Sequence, residues 1–164
     1  MTSDPTSAST DPDTTAPDIV VGVDGSEPSR RALAWAVRMA RRLDARVLAL
    51  QVSDDVFTAQ SKGYCSSEQA QQWYEQARRD GLAAMRRMLD SLDEDPRDVD
   101  VELEVVPGQP PAELIERSRG ADLLVLGPRG MGRFRLLLGS VSLACLQQAT
   151  CPVVIVREAE TATA

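Results

Sequence analysis

The sequence predicts an α/β fold with a doubly wound, five-stranded parallel sheet and helices on both faces. Short apolar runs rich in β-branched residues alternate with longer segments whose apolar residues recur at helical spacing, in the order β-α-β-α-β-α-β-α-β. Strands that are separated by helices pair in parallel through right-handed crossovers, which places helices on both faces of the sheet. Hydrophobic residues make up 43% of the 164-residue chain, enough for one domain to bury a core without disulfides or metals.

Five apolar segments of the chain are predicted to be strands. The segment at 98–106 alternates acidic and apolar residues, which is typical of a half-exposed strand near the edge of a sheet. The other four are continuous apolar runs, as expected for strands that are covered on both faces. The predicted strands are residues 18–23, 46–52, 98–106, 121–127 and 152–156.

The segments between these strands carry helix signals, with one exception. Ser26 is a candidate N-cap for the first helix, and Pro28 is tolerated in its first turn. Gly120 is expected to close the helix at 111–120. The exception is the polar segment at 53–66, which is predicted to be a long loop. The first helix carries an apolar stripe formed by Leu33, Ala36, Val37, Ala40 and Leu43. The other predicted helices are residues 67–91, 111–120 and 140–149.

The two ends of the chain differ in composition from the segment between them. Residues 1–17 are nearly all Ser, Thr, Asp, Pro and Ala, which bury too little apolar surface to offset the entropy of ordering. These residues are predicted to be a disordered tail, and residues 158–164 a flexible one. The ordered domain is therefore expected to span residues 18–157.

Charge and hydropathy exclude several classes of function. A net charge of −7 argues against binding to nucleic acid, because that needs a basic face. No apolar run reaches the roughly 20 residues that a membrane-spanning helix needs. The N-terminus lacks the basic stretch followed by an apolar one that marks a secretory signal. We therefore expect a cytoplasmic protein with no nucleic-acid partner and no membrane partner.

The chain contains no histidine and a single lysine, Lys62. The absence of histidine removes Ser-His-Asp and Cys-His catalytic arrangements as well as H-E-x-x-H metal sites. The three cysteines, Cys65, Cys145 and Cys151, show no C-x-x-C spacing. Cys145 and Cys151 lie in or beside apolar segments, where buried thiols are expected. This composition favours a binding protein over an enzyme.

Two strand ends carry residues that plain packing does not require. Gly22 and Asp24 lie at the end of the first strand, and the glycine-rich segment from Gly127 to Ser140 follows the fourth. Ligands of open parallel sheets bind at the carboxyl ends of the strands. The second segment has the pattern G-x-x-G, eight residues, then G-S at the start of a helix. Unpaired N–H groups and the helix dipole attract anions there.

The side chains of these two segments each allow two interpretations. Arg129, Arg133 and Arg135 place positive charge in an otherwise acidic chain, which suits a polyphosphate. Alternatively, the segment is a long connection whose glycines turn the chain and whose arginines are solvated. Asp24 either accepts hydrogen bonds from neighbouring turn amides or contacts a base, a ribose or a metal ion on the phosphates.

Two long segments of the chain resemble the universal stress protein family. They read VVGVDGSEPSRRALAWAVRMARRLDARVLALQV and ADLLVLGPRGMGRFRLLLGSVSLACLQQATCPVVIV, and the resemblance covers about residues 18–157. It implies a Rossmann-like, adenine-nucleotide alpha hydrolase-like fold and a homodimer. It also implies ATP as the ligand, because the ATP-binding subclass of the family carries G-x-x-G, nine residues, then G-[ST].

The resemblance assigns expected roles to individual residues. Asp24 matches an acidic residue near the adenosine, and it is the candidate contact for magnesium bound to the nucleotide. Val52, at the end of the second strand, matches an apolar wall of the adenine pocket. The positions that match phosphate contacts are Gly127, Gly130, Gly139 and Ser140. The residues that adjoin these positions are Gly22, Leu126, Arg129 and Val141.

The resemblance also implies how two copies of the chain pair. In the usual dimer of the family the last strands of two protomers lie side by side. The corresponding residues carry no charge that would discourage such edge pairing. They are Pro152, Val153, Val154, Ile155 and Val156.

The sequence departs from the family pattern at two places. The spacer from Met131 to Leu138 has eight residues instead of nine, and Pro128 removes one backbone N–H donor. These departures motivate an alternative function, a nucleotide-free module that acts only through protein interactions. A third hypothesis is a slow ATPase or nucleotidyl transferase on the same fold. The sequence is compatible with ATP or with another adenylate as the ligand.

Overall fold

The computed structural model describes residues 18–63, 65–128 and 138–158. The predicted disordered tail at 1–17 and nearly all of the predicted C-terminal tail lie outside the described residues. The candidate site residues Arg129 and Gly130, together with Arg133 and Arg135, lie outside them as well.

The described residues form five parallel strands and five α-helices. The strands are β1 (Ile19–Gly22), β2 (Val47–Ser53), β3 (Val101–Pro107), β4 (Leu123–Leu126) and β5 (Val153–Ile155). The helices are α1 (Glu27–Leu43), α2 (Asp54–Ser61), α3 (Ser67–Asp90), α4 (Pro110–Arg117) and α5 (Ser140–Gln148), with a short 3-10 helix at Pro96–Asp98. The strands form one sheet in the order β3-β2-β1-β4-β5, and every neighbouring pair is parallel. The predicted fold class is therefore confirmed.

Two hydrophobic clusters cover the two faces of the sheet. Successive residues of β1 alternate between them, since Ile19 and Val21 belong to one cluster and Val20 to the other. The first cluster includes residues of α1 and α3, among them Leu33 and Met85. The second includes residues of α4 and α5, among them Leu114, Cys145 and Val141. Helices therefore lie on both faces of the sheet, as predicted.

Helix α1 begins as the sequence predicts. The side chain of Ser26 accepts a hydrogen bond from the backbone N–H of Ser29, and Pro28 lies in the first turn. Four residues of the predicted stripe are buried, but Leu43 is 58% exposed, so its place in the core was predicted wrongly. Leu43 is the last residue of the helix, and the chain leaves it through Asp44, which has a φ of 53°. The buried residues of the stripe are Leu33, Ala36, Val37 and Ala40.

The segment at 53–66 is not a continuous loop, because it contains the helix α2. Two aspartates, Asp54 and Asp55, lie in the first turn of α2, where negative charge interacts favourably with the helix dipole. The helix has almost no amphipathic pattern, and the one large apolar side chain described in it, Phe57, is 38% exposed. Apolar periodicity therefore gave no signal for this helix.

Helix α4 ends earlier than predicted. Its last residue is Arg117, whereas Gly120 lies three residues further along the chain with a φ of 80°. The backbone N–H of Ala121 donates to the carbonyl of Ser118, so a turn separates the helix from Gly120. Gly120 thus supplies the left-handed turn that leads into β4 and is not the helix cap.

The two edges of the sheet differ in charge. Strand β3, which the alternating pattern placed near an edge, is the edge strand beside β2. It carries Glu102 and Glu104, and Glu104 forms an ion pair with Arg117 of α4 at 2.6 Å. The opposite edge is β5, which consists of Val153, Val154 and Ile155. Only the β5 edge is free of charge.

Cys145 and Cys151 pack as small apolar residues. Cys145 is fully buried, and burial raises the pKa of its thiol to about 11. Cys151 is half-buried and packs against the same cluster, as predicted for a small hydrophobe. The raised pKa of Cys145 disfavours the thiolate that redox or metal chemistry requires.

Gly22 allows the side chain of Leu126 to cross the end of β1. A Cβ atom on residue 22 would lie 2.7 Å from Leu126 Cδ2 and 3.2 Å from Leu114 Cδ2. We therefore predict that Gly22→Ala lowers the free energy of unfolding by about 1–3 kcal/mol, because the core must be overpacked to hold the methyl group. Urea unfolding measures this cost.

A double-mutant cycle assigns the cost of Gly22→Ala to its proposed cause. In a Leu126→Ala background the same substitution should cost less, because the Cδ2 atom that it meets is gone. Equal costs in the two backgrounds would show that the strain arises elsewhere.

Candidate functional site

The centre of the sheet holds the point at which the strand order reverses. The chain runs from β1 outward to β2 and β3, then returns to the other side of β1 to form β4 and β5. The connections that follow β1 and β4 therefore diverge, and a crevice opens between the carboxyl ends of these two strands. The candidate residues Asp24 and Gly127 lie on the two sides of this point.

Asp24 organises the turn between β1 and α1. Its Oδ1 atom accepts hydrogen bonds from the backbone N–H of Ser26 at 3.0 Å and from the Ser26 hydroxyl at 2.5 Å. The backbone N–H of Asp24 donates to the hydroxyl of Ser29 at 3.3 Å, and that hydroxyl donates to the carbonyl of Ser26 at 2.9 Å. The side chain of Asp24 is exposed at the crevice. Its structural role is therefore observed, and its ligand role stays a prediction.

Gly127 brings the end of β4 against the first turn of α1. A Cβ atom on residue 127 would lie 2.9 Å from the carbonyl carbon of Pro28 and 3.0 Å from its oxygen. Because the obstructing atoms are backbone, no side-chain rotation relieves this contact. The glycine is thus required by packing between the two strand ends, whatever it contributes to a ligand.

Two hydrogen bonds fix the base of the glycine-rich segment. The backbone N–H of Gly139 donates to the carbonyl of Pro128 at 2.8 Å. The hydroxyl of Ser142, a buried residue of α5, donates to the carbonyl of Gly127 at 2.8 Å. Together they tie the start of α5 to the end of β4 on both sides of the segment between them.

The first turn of α5 presents backbone donors. Gly139 is the N-cap in an extended conformation, with φ −66° and ψ 160°, and as a glycine it has no side chain to cap the helix. The first N–H bonded within the helix is that of Leu143, which donates to the carbonyl of Gly139. The N–H groups of Ser140, Val141 and Ser142 precede it and have no intrahelical acceptor. They form, with the helix dipole, a site suited to an anion.

Three of the predicted residues are apolar and belong to the second hydrophobic cluster. Leu126 is buried at the end of β4, while Val52 and Val141 are partly buried against the same cluster. Val52 lies in β2, which is the neighbour of β1, and Val141 lies in α5, which follows β4. The two side chains therefore approach the crevice from its two sides. These three side chains provide an apolar surface next to the first turn of α5.

The described residues contain no group of three or more acidic or cysteine side chains that could hold a metal ion. No helix in the described part of the chain is long and apolar enough to cross a membrane.

Sequence patterns did not identify Ser142 or Pro28 as part of this arrangement. Ser142 lies in an apolar helix, and its contact with Gly127 joins residues that are 15 positions apart. Pro28 is visible in the sequence only as a first-turn residue of α1, whereas its contact is with β4. A polar residue inside an apolar stripe was the one available signal for Ser142.

The hydrogen bonds of Asp24 predict a difference between two substitutions. Asp24→Ala removes both bonds to Oδ1 and should lower the free energy of unfolding by about 1 kcal/mol. Asp24→Asn keeps an acceptor at the same position and should retain most of that stability. Urea unfolding of the two variants distinguishes them, and a similar loss in both would contradict the proposed role of Oδ1 as acceptor.

Comparison with known proteins agrees with this architecture. The family model described as "Universal stress protein family" matches residues 17–157. A universal stress protein of Mycobacterium tuberculosis is 36% identical over 146 residues, which cover 86% of this chain and 48% of that protein. Universal stress protein YxiE of Bacillus subtilis is 31% identical over 146 residues, covering 85% of this chain and 97% of YxiE. The chain spans about half the length of the mycobacterial relatives that it matches.

Solved structures show the same fold. Universal stress protein UspA from Lactobacillus plantarum superposes with a TM-score of 0.65 at 25% identity, covering 88% of this chain and 100% of UspA. A universal stress protein in complex with cAMP superposes with a TM-score of 0.58 at 25% identity, covering 88% of this chain and 100% of that protein. With a family model matched over almost the whole described chain and relatives of the same name, the chain belongs to the universal stress protein family.

Proposed function

We propose that this protein binds an adenine nucleotide in the crevice between the end of β1 and the start of α5. ATP is the nucleotide that we favour. The observation that carries the proposal is the first turn of α5. Its three N–H groups lack intrahelical acceptors, and the N-cap residue, Gly139, has no side chain to cap them. Such a turn binds phosphate oxygens without needing lysine or histidine. A family member of 25% identity that was solved with cAMP supports an adenine nucleotide as the ligand.

The residues of the crevice divide between the parts of a nucleotide. The N–H groups of Ser140 and Val141 would receive the phosphates, and Arg129 and Gly130, which lie outside the described residues, stay predicted contacts of the nucleotide. Gly127 and Gly139 fix the two ends of the glycine-rich segment. The remaining candidates would adjoin the nucleoside: Val52, Leu126 and Gly22 as apolar or small surface, and Asp24 as a ligand of the ribose or of magnesium.

The shortened spacer is compatible with this proposal. The N–H of Gly139 is bonded to Pro128, so the phosphates would be received by the amides that follow it in the helix. Pro128 has no N–H to donate to a ligand, but its carbonyl accepts the hydrogen bond from Gly139 that joins the two ends of the segment. The missing residue therefore falls within a segment whose two ends are held in place.

The role that fits these features is that of a cytoplasmic stress-response module regulated by nucleotide, without catalysis. The chain has no histidine, and the carboxylate of Asp24 already accepts two hydrogen bonds within its own turn. A regulatory role is therefore proposed in preference to catalysis, because histidine is the usual general base near neutral pH. Nucleotide binding would change the shape of the surface that a protein partner contacts, and so regulate the binding of that partner.

Nucleotide carried through purification tests the proposal directly. We expect freshly purified protein to release an adenine nucleotide on denaturation, identified by mass spectrometry, and its melting temperature to rise with added ATP and magnesium. Gly139→Val should lose both effects, because its side chain would stand at the phosphate position. The extended backbone at residue 139 accepts valine, so the fold should be retained.

Gln147→Ala, an exposed change near the other end of α5, is the matched control and should behave as the wild type. Wild-type protein that carries no nucleotide and does not respond to ATP would overturn the proposal. The protein would then be a nucleotide-free interaction module, the alternative that the shortened spacer motivates.

We further propose that two copies of the chain pair through β5. In the parallel ladder with β4, the carbonyl of Pro152 accepts from Leu124 and the N–H of Val156 donates to Leu126. Because bonding groups alternate along a strand, Val154 bonds to β4, and the peptide groups of Val153 and Ile155 point to the open edge. An apolar edge of this kind pairs readily with another strand, whereas the β3 edge carries acidic residues.

The direction of these groups predicts how single substitutions change the oligomeric state. Ile155→Pro removes an N–H that points away from β4, so it should weaken the dimer and spare the internal ladder. Ile155→Val keeps that N–H and should remain dimeric. Sedimentation velocity measures both, with circular dichroism as the control for folding. A monomeric wild type, or a fully dimeric Ile155→Pro, would contradict pairing through β5.

A further inference from the structure

Ser142 is one of three polar residues buried in the described chain, with 5% of its surface exposed. It lies in the first turn of α5, and the helix carries it on a side that also contains the fully buried Cys145. A buried hydroxyl is costly unless it is hydrogen-bonded, and this one donates to the carbonyl of Gly127 at 2.8 Å. The bond is therefore a fixed part of the structure.

The bond joins the two halves of the crevice. Gly127 follows β4 and is held against Pro28 of α1, so its position is set by backbone contacts. Ser142 belongs to the helix whose first N–H groups face the crevice. The hydroxyl thus fixes where those N–H groups lie relative to the strand ends. The second tie, from Gly139 to Pro128, involves backbone atoms only.

The bond also determines the charge around Gly127. A carbonyl oxygen without a donor carries a partial negative charge that repels a phosphate, and the serine hydroxyl occupies this one. Removing the hydroxyl would leave the oxygen unpaired beside the position proposed for the phosphates. Both effects, on helix position and on charge, act on phosphate and leave the nucleoside side of the crevice unchanged.

We propose that the side chain of Ser142 positions the phosphate groups of the bound nucleotide, because its hydroxyl acts through Gly127 without itself contacting the ligand. This inference rests on the proposed nucleotide binding. Its consequence is selective: Ser142→Ala lowers the affinity for ATP about tenfold, corresponding to the loss of one buried hydrogen bond, and changes the affinity for adenosine less than twofold.

The chain offers a matched control for this substitution. Ser118 is fully buried in the same cluster region, at the end of α4, and its hydroxyl donates to the carbonyl of Ile115 at 3.0 Å. Ser118→Ala therefore removes a buried serine hydroxyl of the same kind away from the start of α5. It should lower the stability and leave the ratio of ATP affinity to adenosine affinity unchanged.

The experiment titrates ATP and adenosine into the wild type, Ser142→Ala, Ser142→Thr and Ser118→Ala. Isothermal titration calorimetry measures the tight affinities, and NMR titration measures the weak ones. We expect Ser142→Ala alone to lower the ratio of the two affinities, and Ser142→Thr, which keeps the hydroxyl, to restore it. Urea unfolding records the stability of each variant.

The outcomes separate this inference from the function on which it rests. A wild type that binds ATP, together with an unchanged affinity ratio in Ser142→Ala, overturns the positioning role alone. A ratio that falls equally in Ser118→Ala overturns it as well, since the effect would then be one of general stability. A wild type that binds neither ligand overturns the proposed function and this inference with it.

Discussion

The approach of β4 to the first turn of α1 leaves no room for a side chain at residue 127. A Cβ atom there would lie 2.9 Å from the carbonyl carbon of Pro28. This contact sets how closely the end of β4 approaches α1, and the position of α5 depends on it. The hydroxyl of Ser142 bonds to the carbonyl of this same glycine, and Pro128, the next residue, bonds to Gly139. The start of α5 is therefore positioned from β4.

A crevice built in this way suits an anionic ligand in an acidic protein. The chain has a net charge of −7, so long-range attraction does not bring a polyphosphate to it. Backbone N–H groups at a helix start provide donors whose direction is set by the fold and which carry no formal charge. The hydrogen bond from the buried Ser142 to Gly127 holds the start of α5, and with it these groups, against the end of β4.

The order of elements and the fold class were predictable from the sequence, because buried parallel strands are continuous apolar runs and edge strands alternate. The acidic alternation of β3 placed it near an edge, and the structure confirms this. Helix α2 was missed, since it has almost no apolar pattern. The packing roles of Gly22 and Gly127 depend on Leu126 and Pro28, which lie far from them along the chain. Local spacing contains no information on such contacts.

The central claim, that phosphate binds to the first turn of α5, is tested most directly by the backbone amide resonances of that turn. In ¹H–¹⁵N NMR spectra, addition of ATP and magnesium should shift the resonances of Ser140 and Val141 strongly. Gln147, near the other end of the helix, should not respond. The N–H of Gly139 should stay protected from exchange with and without ATP, because it is bonded to Pro128. Binding of ATP that leaves Ser140 and Val141 unshifted would contradict the account.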